Sequence, residues 1–527
     1  MTNPIGDVEK AEVLLITGSN TTENHPVLST YAKRAVAKGA KLIVVDPRKI
    51  PITKHATLWL RQKLGTDVAW VNGMMRVILS ENLHDEPYVT RRTIGLEELK
   101  KAVEPYTPER VEEITGIPAA DLVAAARLYA SAKAASILYA MGITQHICGT
   151  DNVKSMANLA MLCGNVGVEG GGVNPLRGQN NVQGACDMGG LPNVFTGYQP
   201  VGNADARKRM EDAWGVTGLP DKPGLTATQM LPAAGEGQFS ALYIIGENPM
   251  VSDPDIRHAE HCLKALDFLV VQDIFMTETA KLAHVVLPSL CFAEKDGTFT
   301  NTERKVQRVR KAVEGPGTAR TDWEILCDLS GRMGLPMAYE NARQIFAEIG
   351  SVTPTYCGIN YERIDREGLF WPCTGTDHPG TPCLHMDKFT CGLGVFSAIE
   401  HRPPAEEPDD EYPLYLTTGR VLYQYHTGTM TMKSESLNAQ APECFVEISQ
   451  ADAERLGVSQ GDLVSVSSRR GKIEVPARVG DMTRPGTVFI PFHWAEQAVN
   501  LLTNTALDPI ARIPELKVCA VRLEKAA

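Results

Sequence analysis

Two glycine-to-aspartate spacings carry the first chemical information in this chain. Gly18 closes the apolar run AEVLLITG and Asp46 closes KLIVVD, 28 positions later; Gly246 closes ALYIIG and Asp273 closes DFLVVQD, 27 positions later. Glycine at the end of a buried strand lets main chain approach a ligand. An acid at the end of the next strand can accept hydrogen bonds from a ribose or a base edge. Two such mouths suggest two nucleotides, although the pattern alone fits equally well a pair of ligand-free parallel strands in any α/β enzyme. Neither mouth carries G-x-G-x-x-G, so a nicotinamide or flavin fingerprint is absent. A third segment of chemical interest, 164–190, is rich in Gly, Asn and Gln around Arg177. It is a poor helix or strand but a good source of backbone and amide hydrogen bonds to a ligand; a plain surface loop is the alternative.

The elements that must position these residues follow from the hydrophobic pattern. Each glycine–aspartate pair brackets a helical segment, HPVLSTYAKRAVAKGA in the first case and 255–265 in the second, so each is a β-α-β crossover between parallel strands. Together they form a weak internal repeat. The alanine and leucine content of 118–142 predicts core-facing helix. Residues 341–400 read as a poorly periodic insertion holding Cys357, Cys373, Cys383 and Cys391, and 401–413, HRPPAEEPDDEYP, as an acidic, proline-rich linker. Beyond it PLYLTTGR, CFVEIS, DLVSVSSRRGKIEVPARV and GTVFIPFHW are short alternating runs divided by turns, the pattern of a compact β-barrel, with one helix in ISQADAERLGV.

With 527 residues, 43% apolar and 22% charged, the chain has room for three or four globular domains. A formal charge of -11 argues against a nucleic-acid partner, and any small anion must be held by a local cation. No apolar run reaches the roughly 18 residues needed to cross a bilayer, and MTNPIGDVEKAE lacks the pattern of a signal peptide. The chain therefore reads as cytoplasmic, with no direct membrane span. The twelve cysteines form no C-x-x-C or C-x-x-x-C pair, so local spacing assigns no zinc, iron-sulfur or other metal ligand. Cys186 has no neighbouring His or Lys to lower its thiol pKa. His25, before Pro26, reads as a loop histidine, and His146 either shapes a pocket or caps a helix.

The ordered blocks TGSNTTENHP, VVDPRK, LGTDVAWVNGM, MGITQH, NPLRGQNNVQGACDMG, GENPM, VVQDIFMTETA, VLPSLCFAEKDGTFTNTERKVQ, TDWEIL, TTGRVLYQYHTGTMT, FHW and PELKVC run from near the first residue to near the last. They resemble the catalytic subunit of formate dehydrogenases in the dimethyl sulfoxide reductase family of molybdopterin oxidoreductases. The resemblance implies an α/β fold. It places a Rossmann-like dinucleotide-binding domain over 1–179 and a second, incomplete one over 180–400 that contains the 341–400 insertion. The 401–413 linker and a C-terminal double-psi β-barrel over 414–527 follow.

The resemblance also implies a bis-molybdopterin guanine dinucleotide cofactor carrying molybdenum or tungsten. By position, Gly18, Asn20, Glu23, Asp46, Arg48, Gly65 and Asp67 would surround one dinucleotide, and Gly246, Asn248, Ser252, Gln272 and Asp322 the other. Met141, Gln145, Gly178 and Gln179 would lie near the pterin, with Arg420, His426, Thr427, Thr429, Asn500 and Lys517 closing the pocket. Arg177 would hold formate, for which a permanently charged fork of donors is chemically apt. The reaction implied is two-electron oxidation of formate to carbon dioxide, or its reverse. Electrons would be exported to an iron-sulfur electron-transfer subunit, an NAD-reducing diaphorase or a hydrogenase.

One departure accompanies this resemblance. In such subunits a cysteine cluster for a 4Fe-4S centre, a lysine, and a selenocysteine or cysteine metal ligand followed by histidine precede the position of Met1, whereas the first cysteine here is Cys148. The expectation is that Met1 is not the native start, because a selenocysteine codon can be read as a stop. The 4Fe-4S centre is then expected only in the preceding segment, and the chain alone is expected to be inactive. The alternatives are a non-catalytic scaffold or pterin-binding subunit of the same fold, or a related molybdopterin oxidoreductase with another substrate. Retention of Asp46, Arg177, Gln179 and His426 favours the catalytic reading. His284 stands where such subunits often carry an acid.

Overall fold

The apolar runs around Gly18 and Asp46 fold as strands hidden on both faces. In the computed structural model, which describes residues 1–526, β1 (Val13–Thr17), β2 (Lys41–Val45), β3 (Leu58–Leu60), β4 (Ala135–Tyr139) and β5 (Val173–Pro175) form a parallel sheet in the order β3-β2-β1-β4-β5. Alternate residues enter separate cores, because side chains of a strand leave on opposite faces. Leu14, Ile16, Leu42 and Val44 join Leu28 and Ala32 of α1 (Pro26–Ala37). Val13, Leu15, Ile43 and Val45 join α2 (Asp67–Ser80), α3 (Ala119–Ala130) and α4 (Gly149–Leu162) through Trp70, Leu122 and Leu159. Each such Leu or Ile contributes about 1.5–3 kcal/mol by leaving water.

The described chain divides into two units, one of Met1–Gly178, Val251–Arg257 and the part from Cys383 onward, the other of Gln179–Met250 and His258–Pro382. In the first unit, 118–142 is not helical throughout. α3 stops at Ala130 and Ala135–Tyr139 pairs with β1, Val13 opposite Ala135 and Thr17 opposite Tyr139. Burial between two neighbouring strands overrides the helical preference of an alanine-rich stretch.

In the second unit the segment after Arg177 is not all loop, since α5 spans Val182–Asp187. β6 (Ala241–Ile245), the crossover helix α6 (Ile256–Lys264), β7 (Phe268–Asp273) and β8 (Val285–Pro288) give the expected repeat, a parallel sheet in the order β8-β7-β6. One face packs Ile244, Leu269 and Val271 on Ala259, Cys262 and Leu263. At its rim Ile245, Phe268 and Val285 are 44%, 47% and 38% exposed, unusual for parallel strands, which are normally covered on both faces. The 285–307 stretch continues into a hairpin of β9 (Gly297–Thr300) and β10 (Lys305–Val309). The 341–400 insertion is more ordered than its pattern suggests: the helix α7 (Ala342–Val352) and Tyr356, Ile359 and Tyr361 bury against Val306 of that hairpin. Its periodicity is hidden because the core it needs lies elsewhere in the sequence.

The C-terminal runs close into a six-stranded barrel of β11 (Leu414–Gly419), β12 (Val446–Ser449), β13 (Leu463–Ser467), β14 (Lys472–Gly480), β15 (Thr487–Pro491) and β16 (Cys519–Lys525), in the order β11-β15-β12-β14-β13-β16. β16 pairs back to β11, Leu414 opposite Val521. The alternating-run pattern marked the first five strands and overlooked this closing one. The expected helix forms at Gln450–Leu456, capped by Ser449 accepting from the Asp452 amide, but it is not alone, since a short helix also spans Glu435–Gln440.

At the C-terminal edge of the first sheet the turns after β1 and β4 touch through main chain. Gly18 has φ +54°, and a Cβ there would lie 2.7 Å from the Gly142 carbonyl carbon; a Cβ on Gly142 would lie 2.6 Å from Gly18 Cα. The Gly142 amide donates to Gly18 O at 3.0 Å. Gly142→Ala should therefore destabilise the chain by about 3 kcal/mol, the scale of overpacking a tight core. Gly6→Ala, where the added methyl meets nothing, should stay within about 0.5 kcal/mol. Denaturation midpoints of the two variants check this, and equal midpoints would refute it.

Candidate cofactor site

Beside that glycine contact the sheet edge carries buried side-chain polar atoms that lack hydrogen-bond partners. Among the described residues, Thr17 Oγ1, Ser19 Oγ, His25 Nε2 and Gln62 Oε1 are buried with no hydrogen bond, and Asn20 faces Glu23 with neither side-chain atom in hydrogen-bonding geometry. Buried polar groups are ordinarily satisfied, so a group of orphans is a reason to look for a ligand. They sit in the turn between β1 and α1 and beside β3, where parallel strands and a helix start direct amides outward.

Asp46 follows β2 and is 7% exposed; its carboxylate accepts the Arg48 amide at 2.9 Å. Burial pushes its pKa up to about 6, against the partial relief of that hydrogen bond and the Arg48 charge. Arg48 reaches into the barrel, donating from Nε (3.1 Å) and Nη2 (2.7 Å) to Glu447 Oε2 and stacking 3.4 Å above the Phe489 ring. Gly65, with φ +72°, turns the chain into α2, whose first residue Asp67 accepts from Trp70 Nε1 at 3.2 Å.

Four barrel-side residues stand around this cluster. Arg420, just past β11, points Nη1 at His426 Nε2, 3.4 Å away, and a Cβ on Gly178 would lie 3.0 Å from the His426 ring. His426 holds a left-handed backbone, φ +47°, which a non-glycine residue adopts rarely. Burial, then Arg420, lowers the pKa of His426 to about 4; burial, Arg420 and His426 do the same for His25. His493 accepts the Val421 amide at Nε2, 2.9 Å, and meets His426 O through Nδ1, which fixes it as a neutral, structural imidazole. Lys517 is 7% exposed and donates to Thr418 O at 2.8 Å. Its pKa falls to about 7, through burial first and then the Arg420 and Arg48 charges, with Asp46 opposing.

Other residues singled out from the sequence have different surroundings. Arg177 lies half-buried after β5, and its charge acts on the Tyr139 hydroxyl. Met141 is 38% exposed and Gln145 half-buried, flanking the turn that carries Gly142. The Thr427 and Thr429 hydroxyls are 3.2 Å apart. Asn500 is committed to main chain, its Nδ2 donating to Val251 O and Ser252 O at 3.0 Å each; the Ser252 hydroxyl faces Asp253. His146 is buried with Nε2 on Gly142 O at 2.8 Å, 4.0 Å from both Asp67 Oδ2 and Glu515 Oε1. It belongs to the buried frame beneath the site. Thr17, Ser19, Gly142 and Gln62 escaped the sequence reading; only the first two carried a signal, their place beside Gly18.

In the second unit, Gly246 ends β6 with φ +64° and stands exposed. Asn248 bridges Glu278 (2.9 Å) and the Thr279 hydroxyl (2.7 Å). Gln272 accepts from Tyr243 and donates to Asp322 Oδ1 at 2.7 Å, while Lys295 pairs with the other Asp322 oxygen. Gln179 is exposed. His284 Nδ1 accepts the Leu269 amide at 2.9 Å, a local role for the residue that stands in place of an acid. Among the described residues no three His, Cys, Asp or Glu side chains converge as a metal site, and no helix is long and apolar enough to cross a membrane.

The polar edge of a parallel sheet and one end of a closed barrel thus bring unpaired buried polar atoms together with the Arg420 and Lys517 cations. The profile of the molybdopterin oxidoreductase family matches residues 1–332, and that of the molydopterin dinucleotide binding domain matches 414–520. The chain belongs to the molybdopterin oxidoreductase family. It is 51% identical to F420-dependent formate dehydrogenase 1 subunit alpha of Methanococcus maripaludis, over 100% of this chain and 78% of that protein. It is 41% identical to formate dehydrogenase H of Escherichia coli, over 100% of this chain and 74% of that protein. Among solved structures, acetylene hydratase from Pelobacter acetylenicus shares the fold, with a TM-score of 0.77 at 21% identity, over 99% of this chain and 81% of that one.

The raised pKa of Asp46 has a sign that can be tested. A carboxyl that ionises at 3.8 when unfolded and at about 6 when folded favours the folded state at low pH, and that advantage is lost as pH rises between the two values. Asp46→Asn lacks the penalty. In the cofactor-free chain the stability of the variant relative to wild type should grow by about 3 kcal/mol from pH 3.5 to pH 7. Melting curves across that range check it; parallel profiles would show Asp46 to be ordinarily solvated.

Proposed function

We propose that this chain holds a bis-molybdopterin guanine dinucleotide with molybdenum or tungsten and acts as the catalytic subunit of a formate dehydrogenase, interconverting formate and carbon dioxide. The observation that carries the proposal is the cluster of buried polar atoms without hydrogen-bond partners at the sheet mouth, beside the buried Lys517 and the half-buried Arg420. The named activity of the 51%-identical relative supports the substrate. Two parallel-sheet units with glycine-ended strands support reading each as Rossmann-like, the second incomplete. The parallel pairs β11–β15 and β12–β14 within the closed barrel support a double-psi form. The domain division 1–179, 180–400 and 414–527 belongs to the same proposal.

In this reading Asp46 accepts hydrogen bonds from the guanosine end of one dinucleotide, and Thr17, Ser19 and Asn20 supply donors and acceptors around it. Arg420 and Lys517 carry positive charge to the pyrophosphate from the barrel side. Gly178 keeps the space beside His426 free of a side chain, in which a Cβ would stand 3.0 Å from the ring. Gly246, Asn248, Gln272 and Asp322 offer the corresponding groups to the second dinucleotide. The bound cofactor supplies the two-electron redox chemistry. Arg177 orients the formate carboxylate with its fork of donors. Iron-sulfur centres outside these residues would take the electrons to a partner subunit, be it an iron-sulfur protein, an NAD-reducing diaphorase or a hydrogenase.

Arg177→Ala in the cofactor-loaded enzyme should lower kcat/KM for formate by about 100-fold or more, the cost of losing a charged substrate-orienting donor. Metal content per chain should be unchanged. Steady-state kinetics with elemental analysis of the same preparation decide it: loss of the metal would reassign Arg177 to cofactor binding, and unchanged kinetics would remove it from the site.

A further inference from the structure

Lys517 is the buried lysine of the cluster between the first sheet and the barrel, and its surroundings do not suit a permanent ammonium ion. Its Nζ donates to Thr418 O at 2.8 Å and approaches Thr418 Oγ1 at 3.3 Å, both neutral acceptors. The Thr418 hydroxyl spends its own proton on Leu516 O at 2.7 Å, which leaves its lone pairs to the amine. The Phe492 ring centroid is 5.5 Å from Nζ, a cation–π contact that is weaker than the hydration it displaces.

The charges that act on Lys517 come from every side of the pocket. Arg420, beyond the end of β11, and Arg48, beyond the end of β2, are both guanidinium groups, and His426 is a further base within reach. Asp46 is the one carboxylate whose attraction is felt there. Asp46 is itself desolvated, and Arg48 already has its own partner in Glu447, 2.7 Å away. The protein alone therefore offers a buried amine between two fixed positive charges and a single reluctant negative one. Such an amine gives up its proton readily, and a pKa of about 7 agrees with this arrangement.

We infer that Lys517 takes up a proton from solvent when a pyrophosphate group enters this site, so that anion binding here is coupled to protonation of Nζ. The inference rests on the reading of this cluster as a dinucleotide site and adds its regulation by pH. The ligand's phosphates are the counter-charge the amine lacks. A proton moves from water to the Nζ lone pair, no other bond changes, and the ammonium so formed can hydrogen-bond phosphate oxygens. The sign follows: the ligand raises the pKa of Lys517, so affinity is fully present below pH 7 and falls as pH rises above it. Loading of the cofactor would then be favoured by mild acidity, and an alkaline medium would weaken retention before the fold itself is affected.

The test uses the cofactor-free chain and GDP-mannose, a guanosine pyrophosphate diester with no phosphate that titrates between pH 6 and 8.5. Calorimetric titration at pH 8 in two buffers of different ionisation enthalpy counts the protons exchanged. The expected result is uptake of about 0.9 proton per ligand and a dissociation constant about thirtyfold weaker at pH 8.5 than at pH 6. Lys517→Arg, whose side chain is charged throughout, should bind GDP-mannose with almost no uptake and a flat pH profile. Binding by wild type with no proton uptake at pH 8 would overturn the inference while leaving the dinucleotide site intact. Equal uptake by Lys517→Arg and wild type would also overturn it, because the proton would then belong to Asp46 or His426. No binding of GDP-mannose at any pH, with the folded state verified by circular dichroism, would overturn the dinucleotide-site reading and this inference together.

Discussion

Desolvation of charge is the constraint on which the first unit is built. Asp46, Asp67, Glu515 and Lys517 are each less than a tenth exposed. Such groups are tolerable only where geometry supplies partners, since an unpaired buried charge costs several kcal/mol. Partners come across long stretches of sequence: Arg48 from the sheet meets Glu447 of the barrel, and Glu515 accepts the amides of Ile147 at 3.2 Å and Ala405 at 2.9 Å. The fastening of barrel to sheet is thus largely polar, and its specificity comes from those few pairs more than from shared apolar area.

The buried frame and the open site use the same chemistry to different ends. His146 stands between two carboxylates, each 4.0 Å from a ring nitrogen, and its Nε2 is held on Gly142 O, so it braces the turn that brings Gly142 against Gly18. Above that turn the polar atoms of Thr17 and Ser19 have no such company. Groups the fold satisfies are thus set against groups it leaves unmatched, and His146 straddles the two, because its Nδ1 is itself buried without a hydrogen bond. His493 illustrates the first kind: both ring nitrogens are engaged by main chain, despite its place beside Arg420 and His426.

Much of this was legible in the sequence, and what was not has physical reasons. β1 and β2 announce themselves because strands buried on both faces read as unbroken apolar runs, and β6 and β7 show the same apolar run ended by glycine or aspartate although one face stays partly open. β4 hides inside an alanine-rich stretch whose local preference is helical, and its pairing with β1 is a long-range fact. β16 escapes because VCAVRLEK resembles the end of any chain until β11 is there to receive it. Gly142 lies in the MGITQH block, yet nothing local marks it for close packing, since the atom that forbids its side chain belongs to Gly18. Asn500 illustrates the opposite case. Its amide type suggested a ligand contact, but its donors are spent on Val251 and Ser252 main chain, a demand that only the folded chain reveals.

The seam of the barrel ties local motion to the ligand cluster. β11 and β16 pair antiparallel over Leu414–Leu416 and Cys519–Val521, and just beyond this short ladder stand Thr418, Arg420 and Lys517. A closed barrel has no free edge from which a strand can fray alone, so parting of the seam would pull the lysine away from its carbonyl and from the arginine in the same event. The amides of the seam and the cation pair should therefore open as one cooperative element. Occupancy of the cluster and amide protection along β11 and β16 become two measures of a single equilibrium, and whatever stabilises one end of that ladder is felt at the other.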